Sequence, residues 1–69
     1  MTELDARGLS CPEPVVMIRN AMQSKEDAYC MTVDNPTSRE NVTRFAEHAG
    51  YQVSVTETDG EYTLNITRK

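Results

Sequence analysis

The sequence predicts an α/β (α+β) two-layer sandwich of order β-α-β-α-β-β, with two helices on one face of a four-stranded mixed sheet. Three observations lead there. Short segments in which apolar and polar residues alternate are interleaved with two segments of helical period. Alternation within the strands implies one buried and one wet sheet face, so one layer of helices suffices. With 69 residues there is room for a single thin core, because a domain of this size buries only ~60% of the surface its unfolded chain exposes. The chain therefore reads as one domain over residues 1–69, without repeat, linker or low-complexity tract.

Each element has its own signal. Glu3 to Ala6 is a short strand with Leu4 and Ala6 on one face. Arg7-Gly8-Leu9-Ser10 is a loop, and Gly8 suits a backbone conformation that other residues resist. Pro12 to Gln23 is the first helix, with Val15, Ile18 and Met22 on one stripe and Met17 and Ala21 beside it. Pro12 fits the first helical position, where its missing N–H costs nothing, and Pro14 is tolerated within the first turn. That placement makes Cys11 the N-cap. After the polar exit Ser24-Lys25-Glu26-Asp27, Ala28 to Val33 is a strand with Tyr29, Met31 and Val33 on one face and Cys30 and Thr32 on the other. Asp34-Asn35-Pro36 ends it. The second helix is expected from about Ser38 to Ala49. Thr37 caps it, Glu40 completes a capping box, Val42, Phe45, Ala46 and Ala49 form its stripe, and Gly50 closes it. Tyr51 to Glu57 and Tyr62 to Arg68 alternate as strands, joined through Asp59-Gly60, a strong hairpin signal.

Composition narrows the function. The formal net charge is −4 and the pI about 4.8, so phosphate backbones are repelled and no direct nucleic-acid partner is expected. No apolar run approaches a membrane span. Met1 leads into Thr2-Glu3-Leu4-Asp5 without the basic start and apolar stretch of a signal peptide, which makes the reducing cytoplasm the default compartment. There the two cysteines are expected as free thiols.

If the first two strands are parallel neighbours or near neighbours, a right-handed crossover brings both of their carboxyl ends to one sheet edge. Ligands of α/β sheets favour that edge. Gly8, Cys11, Pro12, Glu13, Pro14, Asp34 and Asn35, and with them Arg39, converge there. A thiol reacts as its thiolate, which the free amides and dipole of a helix N-terminus stabilise by about 0.3–1 kcal/mol when exposed and up to ~2 when partly buried. Glu13 and Asp34 oppose this, so a modest lowering is expected. On spacing alone a small capping or core residue is the readier reading of Cys11, with a reactive thiol the alternative. Asp34 and Asn35 are equally readable as turn formers, whereas Arg39 reads first as an ordinary exposed first-turn side chain that could hold an anion there. Cys30 lies about 10 Å back from the edge at ~3.3 Å per residue, too far for a bridge to Cys11, and reads as structural. His48, the one histidine, falls late in the second helix without a partner, and no metal-ligand spacing is present.

Leu4-Asp5-x-x-Gly8-Leu9-x-Cys11-Pro12-x-Pro14 resembles the signature of the TusA/SirA/YedF family of sulfur-carrier proteins. Val33-Asp34-Asn35, Glu40-Asn41-Val42 and Arg44-Phe45-Ala46 look most like the YedF branch. The resemblance implies a cytoplasmic β-α-β-α-β-β domain without a cofactor. Cys11 would accept persulfide sulfur from a cysteine desulfurase and relay it to an acceptor protein of the DsrE/TusD type. In the family such relays end in thiolation of a tRNA base, in sulfur oxidation or in cofactor assembly, and the YedF branch is associated with selenium metabolism. That branch carries a further DsrE-type domain, so the chain reads either as a stand-alone protein or as one domain of a longer one. The alternative is a non-catalytic interaction module, docking on a DsrE-like partner, in which the Cys-Pro-x-Pro turn only caps a helix.

Overall fold

The computed structural model describes residues 2–10 and 12–69. Its sheet is built of β1 (Thr2–Asp5), β2 (Ala28–Val33), β3 (Tyr51–Thr58) and β4 (Glu61–Arg68). The helices are α1 (Glu13–Ala21), extended by a 3-10 turn over Met22–Ser24, and α2 (Pro36–His48). The strand order is β1-β2-β4-β3. β1 lies parallel to β2, while β4 is antiparallel to both β2 and β3. The expected fold class and element order are thus observed.

The strands form where alternation is strongest. Tyr29, Met31 and Val33 of β2 are fully buried, as are Leu64 and Ile66 of β4, the other central strand. Ile18 of α1 and Val42 and Ala46 of α2 close over them. Two buried tyrosines keep their hydroxyls hydrogen-bonded, as burial of a phenol requires. The Glu26 N–H donates to the Tyr29 hydroxyl at 3.0 Å, and the Tyr51 hydroxyl donates to the Glu26 carbonyl at 3.3 Å. Their rings meet edge to face, 5.9 Å between centroids. The Asp59-Gly60 hairpin has positive φ at both residues, 52° and 81°, the geometry of a tight two-residue turn that matches strand twist.

Two helix starts differ from the sequence reading. Pro12, with ψ of 15°, is the N-cap of α1, and Pro14 stands in its first turn. Pro12 is therefore outside the helix rather than its first residue. Cys11, expected at the N-cap, lies outside the described residues. At the second start Asn35, not Thr37, is the cap: it is extended and its side chain accepts from the Ser38 N–H, with Pro36 the first helical residue. The helix begins as soon as the chain leaves β2, because Asn before Pro satisfies a free amide and presets φ at once. Ser38, expected at the helix start, is buried within the first turn, while Ala49, expected on the apolar stripe, is exposed beyond the helix end.

Candidate functional site

Parallel pairing of β1 and β2 sets both carboxyl ends at one sheet edge. The pairing continues past β1, where the Ala6 N–H donates to the Thr32 carbonyl at 2.8 Å. The chain then turns at Gly8, whose φ of +79° lies in the left-handed region that L side chains resist. Its N–H donates to Asp34 Oδ2 at 2.7 Å. Asn35 Nδ2 donates to Asp34 Oδ1 at 3.2 Å, while Asn35 Oδ1 accepts from the Ser38 N–H at 2.8 Å. One carboxylate therefore ties the Arg7–Ser10 loop to the start of α2. Gly8, Asp34 and Asn35 are brought together, and they act as a brace.

The loop is held from below as well. Arg7 grips Asp5 with two guanidinium nitrogens, each 2.9 Å from a carboxylate oxygen, and reaches Glu61 at 3.4 Å. These hydrogen bonds from the guanidinium, with a further bond from the Arg7 N–H, hold the Asp5 carboxyl down at about 2. The same partners raise Arg7 further. A depressed carboxyl stabilises the fold above its unfolded value, about 3.9, and loses that contribution as pH falls towards 2. Carboxyl-detected NMR titration is expected to place Asp5 near 2, and Arg7→Ala should return it to the ordinary aspartate range. An unchanged midpoint in the variant would dissociate the shift from this ion pair.

Beyond the loop, the Ser10 carbonyl accepts from the Glu13 N–H at 2.8 Å. This turn bond spans positions 11 and 12, so the residues flanking Cys11 are fixed on both sides. It also corrects an expectation. Pro12 and Pro14 have no N–H, and the Glu13 N–H is taken by Ser10. At most the Val15 N–H remains in the first turn, so a pool of free amides is not what this helix start offers. Its contribution to an anion is the dipole, with Glu13 exposed at the first helical position and opposing it. Pro14 is buried and anchors the turn to the core, while Pro12 is exposed.

Arg39 points elsewhere. Its guanidinium lies 4.9 Å over the Tyr62 ring, a cation–π contact, with Glu40 at 3.7 Å. Cys30 is a free thiol on the open sheet face, paired in register with Glu3 and Asn65. There it lines a shallow depression of about 470 Å³ with Glu3, Asp5, Arg7, Thr32, Glu61 and Thr63. His48 is exposed at the far end of α2. Among the described residues no group of three or more His, Cys, Asp or Glu side chains could hold a metal. No described helix is long and apolar enough to cross a membrane. Sequence reasoning missed the Arg7 clamp and the Ser10–Glu13 bond. Asp5-x-Arg7 was a usable local signal for the first, but its third member, Glu61, is 54 positions away.

Asp34→Ala removes the acceptor of the Gly8 loop bond and of the Asn35 side-chain bond. It is expected to slow any transfer that needs the loop in place by roughly 10- to 100-fold, the scale of an ångström-sized misplacement. Melting temperature should fall only slightly because the site is exposed. Kinetics beside a thermal melt check this, and an unimpaired rate would show that the brace has no functional consequence.

Fold and site together define a small two-layer α+β domain with a braced loop at the sheet edge, ahead of α1. The chain belongs to the TusA family: it matches the family model described as Sulfurtransferase TusA over residues 2–68. It is also similar to a SirA-like protein from Desulfitobacterium hafniense of known crystal structure, with 34% sequence identity, a TM-score of 0.90, and coverage of 97% of this chain and 96% of that one. Family membership supports a sulfur-carrier role in general, exercised with a partner protein.

Proposed function

We propose that this domain is a sulfur carrier that takes a persulfide sulfur onto Cys11 and hands it to an acceptor protein. The observation that carries the reading is the family match over residues 2–68, which spans Cys11-Pro12-x-Pro14. The Ser10–Glu13 bond of 2.8 Å bracketing that position supports it. The chemistry is a redox-neutral exchange. The Cys11 thiolate attacks the outer sulfur of a donor cysteine persulfide, the donor S–S bond breaks, and the donor cysteine leaves as a thiolate. The new S–S bond is on Cys11; the acceptor thiolate then attacks that outer sulfur, the Cys11 S–S bond breaks, and Cys11 leaves as a thiolate. Such a site needs exposure and a stiff backbone more than a cleft, and two prolines in three positions provide the stiffness. A cysteine desulfurase is the proposed donor and a DsrE/TusD-like protein the proposed acceptor, with tRNA thiolation a candidate end point.

The test is loading. The protein is incubated with a cysteine desulfurase and cysteine carrying radioactive sulfur, then run on non-reducing gels. Reductant-labile label is expected on the wild type and on Cys30→Ser. Absence of label on both, with a desulfurase that charges a related carrier, would overturn the reading.

A further inference from the structure

The two edges of the sheet are built differently. β1 is four residues long and carries Glu3 and Asp5, and shortness and charge are standard protection against strand pairing. β3 has eight residues, Tyr51–Thr58, with no proline, no lysine and one charge, Glu57. Its outer backbone groups are identified by the pairing on its inner side. The Lys69 N–H donates to the Gly50 carbonyl, and that pair lies in the same register as Tyr51↔Arg68 and Gln52↔Thr67. Bonded pairs alternate along an antiparallel ladder. Gln52, Ser54, Thr56 and Thr58 therefore bond inward, and Tyr51, Val53, Val55 and Glu57 turn their N–H and C=O groups outward. Val55, one of those four, is also 41% exposed on the helix-side face.

We propose that β3 is a homodimerisation edge, joining a second copy antiparallel about a two-fold axis at Ser54 to form one continuous eight-stranded sheet. The strand is self-complementary in that register. All four outward residues of each copy find a partner, Val53 opposite Val55 and Tyr51 opposite Glu57. Two Val–Val contacts then flank the axis, and the single charge of each strand meets a tyrosine rather than its like. The adjoining groove of about 510 Å³, between Val55 and α2, is lined by Arg39, Arg44, Glu40 and Glu47. Its balanced charge faces its own copy without net repulsion, which an isologous interface requires. The net charge of −4 per copy still opposes association at long range, so added salt should strengthen the dimer.

Sedimentation of the wild type across concentrations up to about 1 mM should show a reversible monomer–dimer equilibrium. Val55→Pro removes only an outward N–H, and proline is tolerated at such edge positions. It should weaken the dimer at least tenfold while circular dichroism stays that of the native fold. Val55→Lys keeps the N–H and sets a cation against Val53 of the second copy, and it should weaken association to a similar degree. This second variant keeps the test decisive if the proline variant does not fold. Mixed-isotope NMR should show contacts between Val53 of one copy and Val55 of the other. A wild type that stays monomeric throughout, or a dimer indifferent to both substitutions, would overturn the proposal. So would pairing of β3 only with a strand of another protein.

Discussion

Cys11→Ser should abolish sulfur loading outright while leaving the domain folded. A hydroxyl is not a nucleophile towards a persulfide at neutral pH, so no slower residual route is expected at this position. Serine is close to cysteine in size and is itself a favoured residue at helix starts, and the turn bond across the position joins two backbone groups, the Ser10 carbonyl and the Glu13 N–H. The variant should therefore keep its melting temperature within a few degrees and still bind its partner. Gel-detected label, a thermal melt and a pull-down with the desulfurase form the measurement. Label that persists in Cys11→Ser and disappears in Cys30→Ser would move the carrier site to the open face of the sheet. Loss of label without any loss of cellular function would favour an interaction module in which the thiol is incidental.

Leu64→Ala should bring the domain close to unfolding. Leu64 is fully buried on central strand β4, between Met31 of β2 and Val55 of β3. Truncating such a leucine costs roughly 2–5 kcal/mol, the lost transfer energy plus the cavity left behind. A chain of this length has a total stability of only about 3–10 kcal/mol, at roughly 0.05–0.15 kcal/mol per residue. The expected fall in melting temperature is roughly 10–30 °C. Val55→Ala, next to it in register but half-exposed at the sheet edge, should change stability by no more than about 0.5 kcal/mol. Equal effects at the two positions would show that burial at β4 does not carry the stability. The contrast reflects size: with one thin core, each fully buried side chain is a large share of the whole.

The residues alone determined most of the architecture. Apolar alternation in 28–33 and 62–66 named the buried faces correctly, because a strand's side chains alternate whatever its neighbours are. Asp59-Gly60 specified the hairpin, since few residue pairs accept positive φ twice. The convergence of Gly8, Asp34 and Asn35 on one edge was also legible, from the handedness of a parallel crossover. Competition between equivalent local signals was not legible. Thr37 with Glu40 and Asn35 with Pro36 are both good helix starts, and neither outranks the other within its own few residues. In the structure Asn35 is the cap, accepting from the Ser38 N–H, while its neighbour Asp34 accepts from the Gly8 N–H. The first turn of α1 is a similar case. Its amides looked available from the sequence, but the Ser10 carbonyl takes one of them. Tertiary structure alone decided the contacts made over long separations. Strand order placed β4 in the middle and β3 at the edge, brought Glu61 to Arg7, and laid Arg39 on Tyr62. The physical reason is that local preferences depend on a few neighbouring residues, whereas strand order and distant pairs depend on which arrangement of the whole chain buries its apolar faces best.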